Sequence, residues 1–356
     1  MSDAVLVTGA FGLVGTATVA HLARLGRRVV ATDLDTPANR RSATSTPAGV
    51  TVRWAADLTD EGQVCALLSA VEPAVIIHLA AIIPPLCYAQ PALARKVNVD
   101  ATANLVKAAA RRDDPPRLVQ ASSIAVYGPR NPYRISDALT AATPARPYDI
   151  YGQHKVEAEA IVRESPLDWV ILRLGGVLTV DMGMDTDPDL IYFEGVLPTD
   201  GRLQTVDVRD VARAFAAAST AHVVGRTLLI GGDDSHRLVQ GEIGSSMAAA
   251  MGLVGALPRG RKGDPDKDDA WFATDWMDSA TAQDLLGHQH HSWPQMLAEV
   301  AEKVGWKRYP LRLIAPVASQ YLKRVSPYHR QPGRYANPWE AVRRKWGAPE
   351  ADRRTT

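Results

Sequence analysis

Val5-Leu6-Val7-Thr8-Gly9-Ala10-Phe11-Gly12-Leu13-Val14-Gly15 decides how the chain is read. An apolar run over residues 4–8 ends in a turn where glycine recurs at three-residue intervals, and residues 12–25 then place apolar side chains at helical spacing. At such a junction each glycine has its own task. Gly9 permits the tight turn, Gly12 lets backbone approach a pyrophosphate, and Gly15 lets the helix pack on the strand. The helix N-terminus offers unpaired N–H groups and the positive end of its dipole to phosphates. Gly9, Phe11, Gly12, Leu13 and Gly15 are therefore candidate cofactor-binding residues.

Outward from this turn the pattern repeats. Short β-type runs lie at residues 28–33, 50–54, 74–78, 117–121 and 169–172, several of them apolar on successive residues, as strands covered on both faces are. Helical spacing falls between them, at residues 61–70, 91–111 and 150–164. This alternation predicts an α/β fold with a doubly wound (Rossmann) parallel sheet. Residues 1–173 form the dinucleotide-binding domain, completed by about 205–230, where a helix at 211–220 precedes a strand at 227–230. Residues 174–204, containing a loop-like acidic stretch at 180–201, and residues 231–302 are assigned to a smaller substrate-binding lobe. Residues 263–269 read as a mobile acidic surface loop.

Composition bounds the function. With 356 residues, 46% hydrophobic and 22% charged, and a mean hydropathy of −0.12, the chain is expected to be a soluble globular protein of about two domains. Net charge is only +1, so no general attraction to nucleic acid or anionic lipid is expected. The charge is uneven, however. Residues 303–356 hold 13 Lys or Arg against 3 Asp or Glu, a net +10 that leaves −9 for the rest. We expect this basic, aromatic-rich tail to pack on the acidic body or a second subunit, although nucleic-acid or membrane binding stays open. Two cysteines, Cys65 and Cys87, suit a reducing compartment and read as structural. No signal peptide or membrane span is expected, which reads as cytoplasmic.

Asp33 ends the second strand, where a carboxylate accepts hydrogen bonds from an adenosine ribose and repels the extra phosphate of NADP. That favours NAD, with NADP kept open by Arg40 and Arg41, and a plain strand-end cap is the alternative. Tyr151 and Lys155 stand four residues apart, on one helix face, so that a cation stabilises a phenolate. Ser122 and Ser123 follow the fifth strand at its carboxyl end, where ligands of doubly wound sheets sit.

As a set these residues resemble the extended short-chain dehydrogenase/reductases, in their NAD-dependent epimerase/dehydratase branch. The resemblance rests on the Gly9–Gly15 turn, Asp57-Leu58, His78-Leu79-Ala80-Ala81, Asn98, Ser123, Tyr151–Lys155, Leu172-Arg173 and Val206-Asp207-Val208-Arg209-Asp210-Val211-Ala212, and covers about residues 4–230. It implies that Tyr151 is the general acid/base, that Lys155 holds the nicotinamide ribose and lowers the tyrosine pKa, and that Ser123 polarises the reacting oxygen. It implies that Asp57 and Leu58 sit by the adenine, and that Leu79, Ala80 and Ala81 pass under the pyrophosphate and nicotinamide side. Asn98, Ala121 and Leu174 are further cofactor candidates, Ile83 and Gly176 substrate candidates, and no metal site is expected. It also implies a homodimer joined through the Tyr–Lys helix, where Ala158 and Ala160 are small.

The reaction expected is hydride transfer at a secondary alcohol or ketone of a sugar-like or other small hydroxylated substrate. Dehydration is disfavoured, because Ile124 and Ala125 replace the Asp-Glu pair that follows the hydroxyl residue in sugar-nucleotide dehydratases. Leu174-Gly175-Gly176-Val177 and the out-of-register Arg202 also depart from nucleotide-sugar epimerases. A redox sensor or scaffold that binds NAD without turnover is the non-enzyme alternative.

Overall fold

The computed structural model describes residues 3–54, 57–181 and 187–350. Seven strands, β1 (Val5–Thr8), β2 (Val29–Asp33), β3 (Thr51–Trp54), β4 (Val75–His78), β5 (Arg117–Ser123), β6 (Trp169–Leu174) and β9 (Arg226–Ile230), form one sheet ordered β3-β2-β1-β4-β5-β6-β9. Every pairing is parallel. The expected doubly wound sheet is therefore present. Strand order reverses between β1 and β4, which opens a crevice beyond their carboxyl ends, where the Gly9 turn and the Leu79 loop emerge.

Strand periodicity explains the two cores. Val5, Val7, Ile77, Val119 and Leu172 face the helices Leu13–Arg24 and Val208–Ala218, while Leu6, Val30, Ile76, Leu118 and Ile171 face Glu61–Val71 and Ala101–Ala110. Both sets are buried, which is why the runs lack polar alternation.

The smaller sheet consists of β7 (Gly176–Leu178), β8 (Arg202–Asp207) and β10 (Arg237–Val239), in the order β10-β8-β7. Its core joins Val180, Leu238, Ile243, Trp293 and Met296. Helix Ala280–Leu286, from the stretch assigned to this lobe, packs Ala282 and Leu286 on the large sheet.

Three local expectations need correction. The 91–111 helix is broken by a π-helical turn, Lys96–Asp100, between Pro91–Arg95 and Ala101–Ala110. The acidic 180–201 stretch contains a helix, Pro188–Val196, started by Asp187, which accepts from the Asp189 N–H; residues 182–186 lie outside the described residues. The 263–269 loop is tied down: Gly263 N–H donates to Asp200 at 2.8 Å, Trp271 Nε1 donates to the Asp264 carbonyl, and Asn131 donates to Pro265 and Asp268.

Part of the tail folds back as expected, but its contact is mainly aromatic. Helix Pro338–Trp346 buries Trp339, Ala341 and Val342 against Tyr88, Phe193 and Val196, and Trp339 stacks 5.1 Å from Phe272 with the tilted Tyr148 ring 4.8 Å away. Its continuation returns to the Ile150–Arg163 helix, where Ile150 N–H donates to the Pro349 carbonyl at 2.8 Å. Among the described residues only Lys303–Asp181 and Lys345–Asp189 pair the tail with acidic side chains of the body. Apolar burial rather than net charge holds this segment.

Candidate active site

The glycine turn is shaped from within at two positions and from outside at the third. Gly9 has φ +64°, and a Cβ there would lie 2.6 Å from the Ala80 nitrogen; at Gly15 it would lie 2.0 Å from the Gly9 oxygen. At Gly12 the nearest atom is 3.6 Å away, so the protein itself does not demand glycine there. Helix Leu13–Arg24 starts at Gly12 with no side-chain cap and no acidic residue in its first turn. Its orphan N–H groups fit a dinucleotide's phosphates.

Asp33 reaches this turn: its carboxylate accepts the Phe11 N–H at 3.1 Å and the Leu34 N–H at 2.9 Å. Burial raises its carboxyl above the ordinary range, and these hydrogen bonds oppose that. Arg40 is occupied by Asp35, at 2.5 and 2.7 Å, and lies over Trp54, whose ring is 5.0 Å from Phe11. Asp57 accepts both the N–H and the hydroxyl of Thr59, and Leu58 is buried with its carbonyl on Asn104.

Asn98 works through the loop beside the turn. Its amide accepts the Ile82 N–H at 2.7 Å and donates to the Ile82 carbonyl at 2.8 Å, a clamp that the π-helical turn presents. Leu79 and Ala80 lie directly across from Gly9, and Ala81 leads from them to the clamped Ile82. Ile83 is exposed, Leu174 is half-buried at the end of β6, and Gly176 packs its bare Cα face on Leu203.

Ser123 ends β5, and Tyr151 lies in the first turn of Ile150–Arg163. Gly152 lets them meet, since a Cβ there would stand 2.5 Å from the Ala125 oxygen, so the helix start sits directly on the turn after Ser123. Asp149 caps that helix, accepting from Gly152 N–H at 3.1 Å and from the Tyr88 hydroxyl at 2.5 Å. Ser123 Oγ accepts the Ala125 N–H at 3.2 Å and stands close enough to Tyr151 to pull its phenol pKa down. Lys155 is buried, donates to the Ala121 carbonyl at 3.0 Å, and stands 5.8 Å from the Tyr151 ring centre.

The protein's own groups do not by themselves bring the tyrosine down. Burial raises the Tyr151 phenol well above its usual value, Cys87 and Asp149 add to this, and Ser123 opposes it. Lys155 does not reverse the shift because burial brings its own ammonium down to about 8, against the pull of Glu159. The protein's own groups therefore keep Tyr151 protonated. Cys87 is buried with its thiol pushed up by burial and then by Asp149, which suits the structural role expected.

Behind the pair lies a buried charge network that the sequence did not reveal. Glu159 accepts from the Ser122 hydroxyl at 2.6 Å and from two Arg173 nitrogens at 2.8 and 2.6 Å, while Arg163 adds a bond at 2.7 Å. Arg173 also donates to the Tyr127 hydroxyl at 2.7 Å. Burial raises the Glu159 carboxyl, but its bonds to Arg173 and Ser122 outweigh that and leave it below the ordinary range. On the open side, Tyr151 borders the aromatic cluster of Tyr88, Phe193 and Trp339. Those residues were also missed; only the Asp149 cap, three residues before Gly152, had a local signal.

His78 carries a pH prediction. It is buried between Thr8 and Thr102, at 2.7 and 3.2 Å, and burial lowers its pKa to about 3, with Lys155 adding repulsion. Its unfolded value is near 6.5. The unfolded chain thus takes up a proton first, and stability falls as pH drops from about 6.5 toward 3. Unfolding followed against pH should show this slope, and His78→Asn should flatten it; an equal slope in both proteins contradicts the assignment.

Fold and side chains together set Ser123, Tyr151 and Lys155 at the carboxyl-end crevice of a doubly wound parallel sheet. Residues 5–183 match the NAD dependent epimerase/dehydratase family, and the chain belongs to that family, whose cofactor is NAD. An uncharacterized epimerase/dehydratase of Staphylococcus saprophyticus is 26% identical over 159 residues, 44% of this chain and 47% of that protein. The chain thus spans about half the length of this curated relative. The UDP-glucose 4-epimerase of Thermus thermophilus, solved with NAD, superposes with a TM-score of 0.68 at 22% identity, over 85% of this chain and 98% of its own. The UDP-glucuronic acid 4-epimerase of Bacillus cereus, solved with UDP-glucuronic acid and NAD, does so at 0.65 and 20% identity, over 85% and 98%.

Proposed function

We propose that the chain moves a hydride between NAD and a secondary alcohol or ketone of a sugar-like or other small hydroxylated substrate, as an epimerase or dehydrogenase. The observation that carries this reading is Lys155, anchored on the Ala121 carbonyl beside the Tyr151 ring, with the helix start packed on the turn that follows Ser123. Bound NAD supplies the hydride acceptor. The Gly9–Gly15 turn holds its phosphates and Asp33 its adenosine ribose, while Lys155 serves the nicotinamide ribose. Tyr151 Oη exchanges the proton of the substrate hydroxyl, and Ser123 Oγ orients the same oxygen. Arg40, paired with Asp35, does not stand free for an NADP phosphate.

Dehydration stays disfavoured, because Ile124 and Ala125 are buried and apolar beside Ser123. The two structural relatives act on UDP-sugars by name. Here Arg202 is committed to Asp275 at 2.6 Å and lies over Trp276, which supports a substrate held differently. Homodimerisation belongs to the same reading, with Ala160 half-exposed on its helix; Ala158 is buried within its own chain and adds nothing to that face.

Mass and absorbance of the purified protein test the reading. Retained NAD favours an epimerase that returns the hydride, and exchangeable NAD favours a dehydrogenase; failure to bind NAD contradicts both. Asp33→Ala should weaken NAD about tenfold and narrow its preference over NADP, since a charge-assisted hydrogen bond and a repulsion vanish together. An unchanged cofactor ratio on titration would reduce Asp33 to a strand-end cap.

A further inference from the structure

The tail is two different objects. While Pro338–Trp346 is buried, helix Arg308–Val325 turns only one seam, Leu311, Ala315, Leu322 and Val325, toward the protein. Its outer side leaves Leu313 81%, Val317 71%, Tyr321 61% and Ile314 51% exposed, and just before it Trp306 is 72% exposed. Positions 313, 314, 317 and 321 fall on one stripe of the helix. Isolated exposed apolar residues need no explanation, but a continuous stripe does.

The charge around the stripe is one-sided. Residues 303–339 contain eight Lys or Arg and no Asp or Glu. Lys307, Arg308 and Arg312 flank the helix start, and Lys323 and Arg324 its end. Lys323 and Arg324 also line a cavity of about 390 Å³ with Arg259, Arg261, His329 and Arg330. Arg261 is occupied, donating to the carbonyls of Gln331 and Pro332 and lying over Tyr328. Among the described residues Arg259, Lys323, Arg324 and Arg330 form no ion pair.

We infer that helix Arg308–Val325 lies in the plane of a membrane surface bearing anionic headgroups. Its Leu313–Val317–Tyr321 stripe enters the acyl boundary, and the basic cavity at its end receives headgroup phosphates. An apolar face, flanking cations and interfacial Trp and Tyr are the combination such helices use. A second copy of the chain is the poorer occupant, because symmetric pairing would bring two unrelieved basic helices together. A polynucleotide would match the cations but leave the apolar stripe without a role. No helix among the described residues is long and apolar enough to cross a membrane, which agrees with surface docking. Tyr328 ties the docking element to the site: its hydroxyl donates to the Val196 carbonyl and accepts from Asn337 N–H, beside the Trp339 cluster.

Sedimentation of the full-length protein with vesicles tests this. Vesicles of phosphatidylcholine with about 30% phosphatidylserine should carry down roughly tenfold more protein than phosphatidylcholine alone, and less as salt rises. L313E/V317E, which alters only exposed side chains, should lose roughly tenfold in vesicle binding while keeping melting temperature and NAD affinity. R259A/R324A should lose binding to the anionic vesicles as well. Protein left in the supernatant with anionic vesicles, or equal sedimentation of L313E/V317E, overturns the inference. A parent dimer that L313E/V317E converts to monomer, or retention on single-stranded RNA, with vesicles ignored, overturns it in favour of the other occupants.

Discussion

Tyr151→Phe should lower turnover by about 10²–10⁴, the range ascribed to general acid–base catalysis, while NAD affinity changes little. The ring still fills its place beside Cys87, Tyr88 and Trp339, so packing is retained and only the proton-carrying oxygen is removed. Ser123 keeps its bond from the Ala125 N–H at 3.2 Å, which holds the neighbouring hydroxyl in position. Steady-state kinetics should therefore show the loss in kcat more than in KM. Near-normal turnover would remove Tyr151 from the chemistry and revive the reading of an NAD-binding sensor.

Glu159→Leu should be the most destabilising single change in the structure's interior polar network. It strands Arg173, 4% exposed, without its carboxylate, and leaves the Ser122 hydroxyl without its acceptor. Breaking a buried pair on one side costs about 3–5 kcal/mol, or roughly 4–7 °C in Tm for a chain of this size. The pH dependence has a definite sign. The folded Glu159 carboxyl sits below its unfolded value, so its stabilisation is present above the ordinary carboxylate range and is lost as pH falls through the depressed folded value. Thermal unfolding of Glu159→Leu and of the milder Glu159→Gln should rank in that order below the parent. An unchanged Tm for Glu159→Leu would show that Arg173 finds water or another partner.

The large sheet was legible because its strands are short, apolar and separated by helical spacing, and because Gly9, Gly12 and Gly15 mark one particular turn. The reactive set was legible for a related reason: Tyr151 and Lys155 are local in sequence, and Ser123 stands at a strand end. What the sequence hid is non-local. Glu159, Ser122 and Arg173 come from a helix and two strands, and no spacing rule joins them. The π-helical turn at Asn98 breaks a stretch that reads as one helix, and it presents a tertiary clamp on Ile82 that no local spacing announces. The tail misled in another way. Its charge drew attention, yet Trp339 and its aromatic neighbours hold one half, and the other half leaves its apolar stripe exposed.

The central claim is that Tyr151 is the proton-transfer group of an NAD-dependent site. Among the protein's own groups burial keeps it protonated, so the positive nicotinamide and Lys155 acting together must bring the phenol down into the working range. An ultraviolet titration of phenolate absorbance in the parent and in Tyr151→Phe, each saturated with NAD, measures this without knowledge of the substrate. The account predicts one tyrosine ionising well below about 10 in the parent, absent from Tyr151→Phe and absent from the parent without NAD. Identical titrations in the two NAD-saturated proteins would contradict it.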